Sequence, residues 1–66
     1  MQTLTYNKAT KQVILYNSVS ANKEHKIQTF EHIATISLSN DRIWGYNDRN
    51  GIVFSVPHVK TNVVYL

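Results

Sequence analysis

Short runs rich in Val, Ile, Thr and Tyr recur along the whole chain, and each is bounded by Asn, Asp, Ser or Gly. No stretch repeats its apolar positions with the period of a helix, so the pattern predicts an all-β domain. Strands are expected over residues 2–6, 11–16, 42–47, 52–56 and 61–65, with a further one running from 26–28 through a bend into 33–39. Pro57 has no N–H to give to a ladder and ends its strand near Val56. No linker divides the chain and no segment is low in complexity, so residues 1–66 are read as one domain.

The same dipeptide closes three of these strands, at Tyr6-Asn7, Tyr16-Asn17 and Tyr46-Asn47. An aromatic ends the strand, and an Asn that hydrogen-bonds its own backbone opens the turn. The longest polar connection runs from Asn17 to His25, where Ser20 is placed to cap a single helical turn through Ala21, Asn22, Lys23 and Glu24. F-E-H-I-A-T from Phe30 to Thr35 and V-P-H-V-K-T from Val56 to Thr61 share a pattern, and both are read as corners that redirect the chain. A six-residue likeness in a β-rich sequence arises by chance, so no duplication is inferred.

The stretch D-R-I-W-G-Y-N-D-R-N-G, from Asp41 to Gly51, admits two registers, and register decides the face of every side chain beyond the turn. In the first, Asp48-Arg49-Asn50-Gly51 is a type I turn with Gly51 in a left-handed bulge, and Ser39-Asn40-Asp41 is a three-residue turn. Ile36, Leu38, Trp44, Tyr46, Ile52, Phe54 and Val56 then face the core. In the second, residues 47–50 are a four-residue loop and Asn40-Asp41 a two-residue turn. Ile36, Leu38, Ile43, Gly45, Ile52, Phe54 and Val56 are then buried, while Arg42, Trp44 and Tyr46 project together beside Thr35, Ser37, Val53 and Ser55. The first is preferred, because Asp and Gly suit the bulged turn and a small core gains from its largest aromatic.

Composition narrows the class. At 42% hydrophobic and 17% charged residues, the chain can order a core, which excludes a disordered tail. With 66 residues and no Cys it has neither disulfides nor thiolate metal sites. A core of this size supplies only about 3–5 kcal/mol, so association through a first or last strand at a sheet edge is expected. The first residues lack the charged start and apolar run of a signal peptide, and no stretch reaches the ~20 apolar residues of a membrane span. A soluble, cytoplasmic protein without membrane contact is expected.

Catalytic patterns are missing from the sequence. His25, His32 and His58 have no metal-binding spacing, and no nucleophile elbow is present. Asp41 and Asp48 sit at turns, where carboxylates cap backbone, and two Gly residues cannot build a phosphate loop. A non-enzyme without cofactor or metal is the expectation.

What remains is surface. Seven Lys and Arg against four Asp and Glu give a net charge of +3, a mild preference for anionic partners. If the strands simply meander, Lys8, Lys11, Arg42, His58 and Lys60 gather at one end as a basic rim, with Asp41 among them. Arg42, Trp44, Tyr46 and Arg49 form the candidate interaction surface. The expected architecture is five or six antiparallel strands in a strongly curved sheet or a half-open barrel of the SH3-like or Sm-like kind. The expected function is a protein-binding module, a small regulator or inhibitor whose length and Asn-, Lys- and Ile-leaning composition suit a phage or mobile element. The alternative is a nucleic-acid binder that joins the basic rim to aromatic stacking.

Overall fold

A computed structural model of the chain describes residues 2–18 and 23–66. Among them are seven strands: β1 (Gln2–Asn7), β2 (Gln12–Tyr16), β3 (Lys26–Phe30), β4 (Thr35–Leu38), β5 (Arg42–Tyr46), β6 (Ile52–Pro57) and β7 (Thr61–Tyr65). The strand order is β3-β2-β1-β7 in one sheet, called A, and β4-β5-β6 in the other, called B. The all-β class is as expected. The count of five or six is not, because the bend after Phe30 splits one expected strand into β3 and β4, which belong to different sheets.

In place of the single curved sheet or half-open barrel that was expected, the ladders of the described residues form two separate sheets and no closed barrel. The strands are not all antiparallel either: β7 runs parallel to β1, with Gln2 opposite Thr61 and Tyr6 opposite Tyr65. A parallel neighbour needs a long crossover, and here all of sheet B lies within it. A short 3₁₀ turn covers Lys23–His25. Ser20, Ala21 and Asn22, the start of the expected helical turn, lie outside the described residues. Among the described residues no helix is long and apolar enough to cross a membrane.

The two segments read as corners are the two connections between sheets. The first crosses from β3 to β4 with His32 in the left-handed region (φ 63), the second from β6 to β7 with Lys60 there (φ 67). Both sheets hold the first crossing: Ile33 N–H donates to the Lys11 carbonyl at 2.9 Å, and Ala34 N–H to the Tyr46 carbonyl at 2.8 Å. The buried Tyr6 hydroxyl lies 3.0 Å from the carbonyls of both Ile33 and Ala34 and donates to this pair. A phenol that meets backbone acceptors in the core leaves no desolvated hydroxyl unsatisfied.

The core forms where the sheets face each other. Leu4 and Tyr6 of β1, Val13 and Leu15 of β2, Ile33, Ile43 and Phe54 are buried together, with Phe30, Ile36, Val56 and Val63 packed against them. Trp44 is not among them. Along β5 the inward residues are Ile43 and Gly45, opposite Leu38 and Ile36 on β4 and opposite Val56 and Phe54 on β6. This is the face assignment of the second register, and it overturns the preferred one.

The cause lies at Gly45. A Cβ there would stand 2.0 Å from Cε2 of Phe54, so the Phe54 ring fills the space that a side chain would need. The ring also stacks on Phe30 of sheet A, centroids 4.6 Å apart and planes at 21°. Parity along the strand then sends Trp44 and Tyr46 outward.

The first turn of sheet B is that of the second register, and the next turn differs in detail from both. Asn40-Asp41 is a two-residue turn, closed by Ser39 N–H to the Arg42 carbonyl at 2.9 Å. In the next turn Asn47 N–H donates to the Gly51 carbonyl at 3.0 Å, and the left-handed residue is Asn50 (φ 60), not Gly51. A one-residue shift between Gly45 and Tyr46 follows, so that Tyr46 faces Ile52 while Gly45 faces Phe54. Ile52, expected inside in either register, is consequently 63% exposed, and Leu38 at the edge of sheet B is 44% exposed.

Two of the Asn-led turns, after Tyr6 and after Tyr46, have a shared construction. Asn7 Oδ1 accepts from the N–H groups of Ala9 and Thr10, and Asn47 Oδ1 from those of Arg49 and Gly51. Each turn also has one left-handed residue, Lys11 in the first and Asn50 in the second.

Two outcomes are expected in denaturant melts. Gly45→Ala should destabilise by about 2–3 kcal/mol through overpacking, and Phe54→Leu in the same chain should recover part of that loss. A neutral Gly45→Ala would contradict the contact. At the turn, Asn50→Val should destabilise by about 1–2 kcal/mol while Asn50→Gly leaves stability nearly unchanged. Equal effects would show that position 50 is not left-handed.

Candidate functional site

Sheet B turns its second face away from sheet A. On the central strand β5 this face carries Arg42, Trp44 and Tyr46, with Trp44 between Ser37 of β4 and Ser55 of β6 and Tyr46 opposite Thr35. Trp44 and Tyr46 are half-buried, and Arg42, Thr35 and Ser37 exposed. Arg42 lies across the sheet, its Nε donating to Ser55 Oγ at 2.7 Å. The result is a flat patch of two aromatics, several hydroxyls and one guanidinium.

Arg49 is apart from these three. It sits exposed in the turn beyond Tyr46 and helps line a shallow hollow of about 270 Å³ with His32, Asn47 and Asp48. Three of the four candidate surface residues therefore share one strand face, and the fourth occupies its end.

The basic rim is not assembled. Lys11 lies next to Asp48 at 3.6 Å, and Lys8 is in the same turn, at the end of β1 where Asn7 pairs with Gln12. Lys60 is at the opposite end of β1, its carbonyl accepting from Gln2 N–H at 2.9 Å. His58 is there too, anchored to the turn between β4 and β5: its N–H donates to the Asp41 carbonyl at 2.9 Å, and its Nδ1 to the Ser39 carbonyl. Arg42 begins β5 beside them, so the cations divide between two ends. The split of one expected strand into β3 and β4 is the reason: it adds one reversal, so the turns after it change ends and β7 comes to run parallel to β1.

No three His, Asp or Glu side chains converge among the described residues. A second concavity of about 370 Å³ opens where β7 and β4 border each other, lined by Tyr6, Lys8, Ala34, Ile36, Tyr65 and Leu66 among others. The sequence reading missed it because it depends on which strands end up at edges. Its available sign was the run from Thr61 to Leu66, which has no charge, Pro or Gly. No protein-family model, curated protein or solved structure matches this chain.

Trp44 is the single Trp, so its emission reports on this face alone. The native monomer should emit to the red of a buried indole and be quenched by acrylamide. Blue-shifted emission resistant to quencher in the monomer would place the ring inside.

Proposed function

We propose that this chain is a non-enzymatic protein-binding module, a small regulator or inhibitor, which docks through the outer face of sheet B. One observation carries the reading: the largest side chain of the protein stands outside a core that closes without it. Trp44 is at the centre of its sheet, beside Tyr46, hydroxyls and a positioned Arg42. Trp, Tyr and Arg are the residue types that dominate binding free energy when a partner desolvates them. The flat sheet holds them on rigid backbone, so little side-chain freedom is lost on docking.

A protein partner is favoured over nucleic acid by the division of the cations. Phosphate backbones are held by several neighbouring positive groups, and the face around Trp44 has only Arg42, with Arg49 beyond its end. A chain without Cys accords with a reducing, cytoplasmic setting, which belongs to the same proposal.

Recovery of tagged protein with and without nuclease, at low and moderate salt, tests the partner class. A protein that remains bound through both treatments is the expected outcome, and nuclease-sensitive recovery would move the reading to nucleic acid. Trp44→Ala should fold, lose about 1 kcal/mol of stability or less, and bind the recovered partner about thirtyfold more weakly. A folded Trp44→Ala protein with unchanged affinity would remove this face from the function.

A further inference from the structure

Of the four edge strands, three are protected against pairing with another chain. β3 begins with Lys26, and its ladder with β2 shifts at Leu15 and Tyr16. β6 has Pro57 and the shift opposite Gly45 and Tyr46. β4 is only four residues long. Short strands, Lys, Pro and bulges are the usual defences of a sheet edge. β7 has five residues, regular pairing to β1, and none of these devices.

We propose that β7 pairs antiparallel with β7 of a second copy of this chain. The inference does not rest on the Trp44 surface. The register follows from the backbone. Gln2 N–H donates to the Lys60 carbonyl and Leu66 N–H to the Tyr6 carbonyl, so the even-numbered residues of β7 direct their backbone groups to β1. The N–H and carbonyl groups of Val63 and Tyr65 and the carbonyl of Thr61 point to the open edge, while the Thr61 N–H donates to the His58 carbonyl at 3.0 Å. An antiparallel pair engages all three residues when Val63 lies opposite Val63 and each Tyr65 N–H donates to the partner's Thr61 carbonyl. Side-chain parity agrees with this register. Val63 and Tyr65 are on the core side, and Asn62 meets Val64 on the other face.

Charge and apolar exposure both select a second copy. No charged residue occurs from Thr61 to Leu66, although each chain carries +3. The flanking Lys60 residues end at opposite ends of the pair, about 20 Å apart and beyond the screening length at physiological salt. Tyr65 and Leu66 are 61% and 71% exposed, and the pairing covers them with the partner's Thr61 and the stem of its Lys60.

Light scattering over a concentration series, with hydrogen exchange, tests the dimer. Wild type should dimerise by about 100 μM, with Val63 and Tyr65 amides protected as concentration rises. Asn62→Lys with Val64→Lys, both off the core face, sets like charges opposite each other and should weaken the dimer at least about tenfold. Asn62→Lys with Val64→Glu sets opposite charges in the same register and should restore it. A strict monomer, or a dimer indifferent to both double variants, would overturn the proposal. So would Val63 and Tyr65 amides protected only by a foreign strand.

Discussion

The Phe54 ring occupies the space in which a side chain at position 45 would stand. Much of sheet B is arranged around that exclusion. Because only Gly fits beneath the ring, Gly45 must face inward, and with it Ile43, Ile36 and Val56. Phe54 in turn bridges the sheets through its stack on Phe30, so the same ring that fixes the register of sheet B also joins it to sheet A. A single close approach thus sets both the orientation of one layer and its docking on the other. It also removes Trp44 from the core, since adjacent residues of a strand take opposite faces.

Tyr6 holds the other half of the packing. Its ring is in the core, and its hydroxyl meets the carbonyls of Ile33 and Ala34, where the chain leaves sheet A for sheet B. The backbone of that crossing is bonded to Lys11 on one side and Tyr46 on the other. The second crossing, from β6 to β7, is secured by Thr61 Oγ1 donating to the Pro57 carbonyl at 2.8 Å and by the His58 contacts with residues 39 and 41. At both connections these bonds satisfy polar groups locally, which helps a chain this short pass twice between layers.

Much of this was legible in the sequence, and the failures have specific causes. The positions of the strands followed from alternation, the Asn-led turns from Tyr6-Asn7 and Tyr46-Asn47, and the crossings from the two His-centred corners. The face of Trp44 was misjudged because a type I turn ending on Asn50 rather than Gly51 differs by one residue, and one residue inverts a strand. Asn tolerates the left-handed region, so the preference for Gly at that position was too strict. Gly45 inside an apolar strand was the sign of a close approach, and it outweighed the argument that a small core needs its Trp. The basic rim failed for a topological reason. The expected alternation ran over six strands, and the seventh, made by the bend after Phe30, adds a reversal that carries Lys60 to the end of the sheet opposite Lys8.

The two surfaces singled out belong to different layers, and this matters for how they would work together. The Trp44 face looks away from sheet A, whereas the β7 edge extends sheet A sideways. A dimer through β7 would therefore join two A sheets into one of eight strands and leave each sheet B uncovered. Two copies of the Trp44 face would then be held at a fixed separation on one rigid assembly. For a partner that is itself dimeric or repeated, the second contact becomes intramolecular, and avidity can raise apparent affinity by about 10²–10⁴ without any new contact. A binding patch limited to one Trp, one Tyr and one Arg on a 66-residue chain gains most from such an arrangement, because the small interface of each copy need not be strong alone.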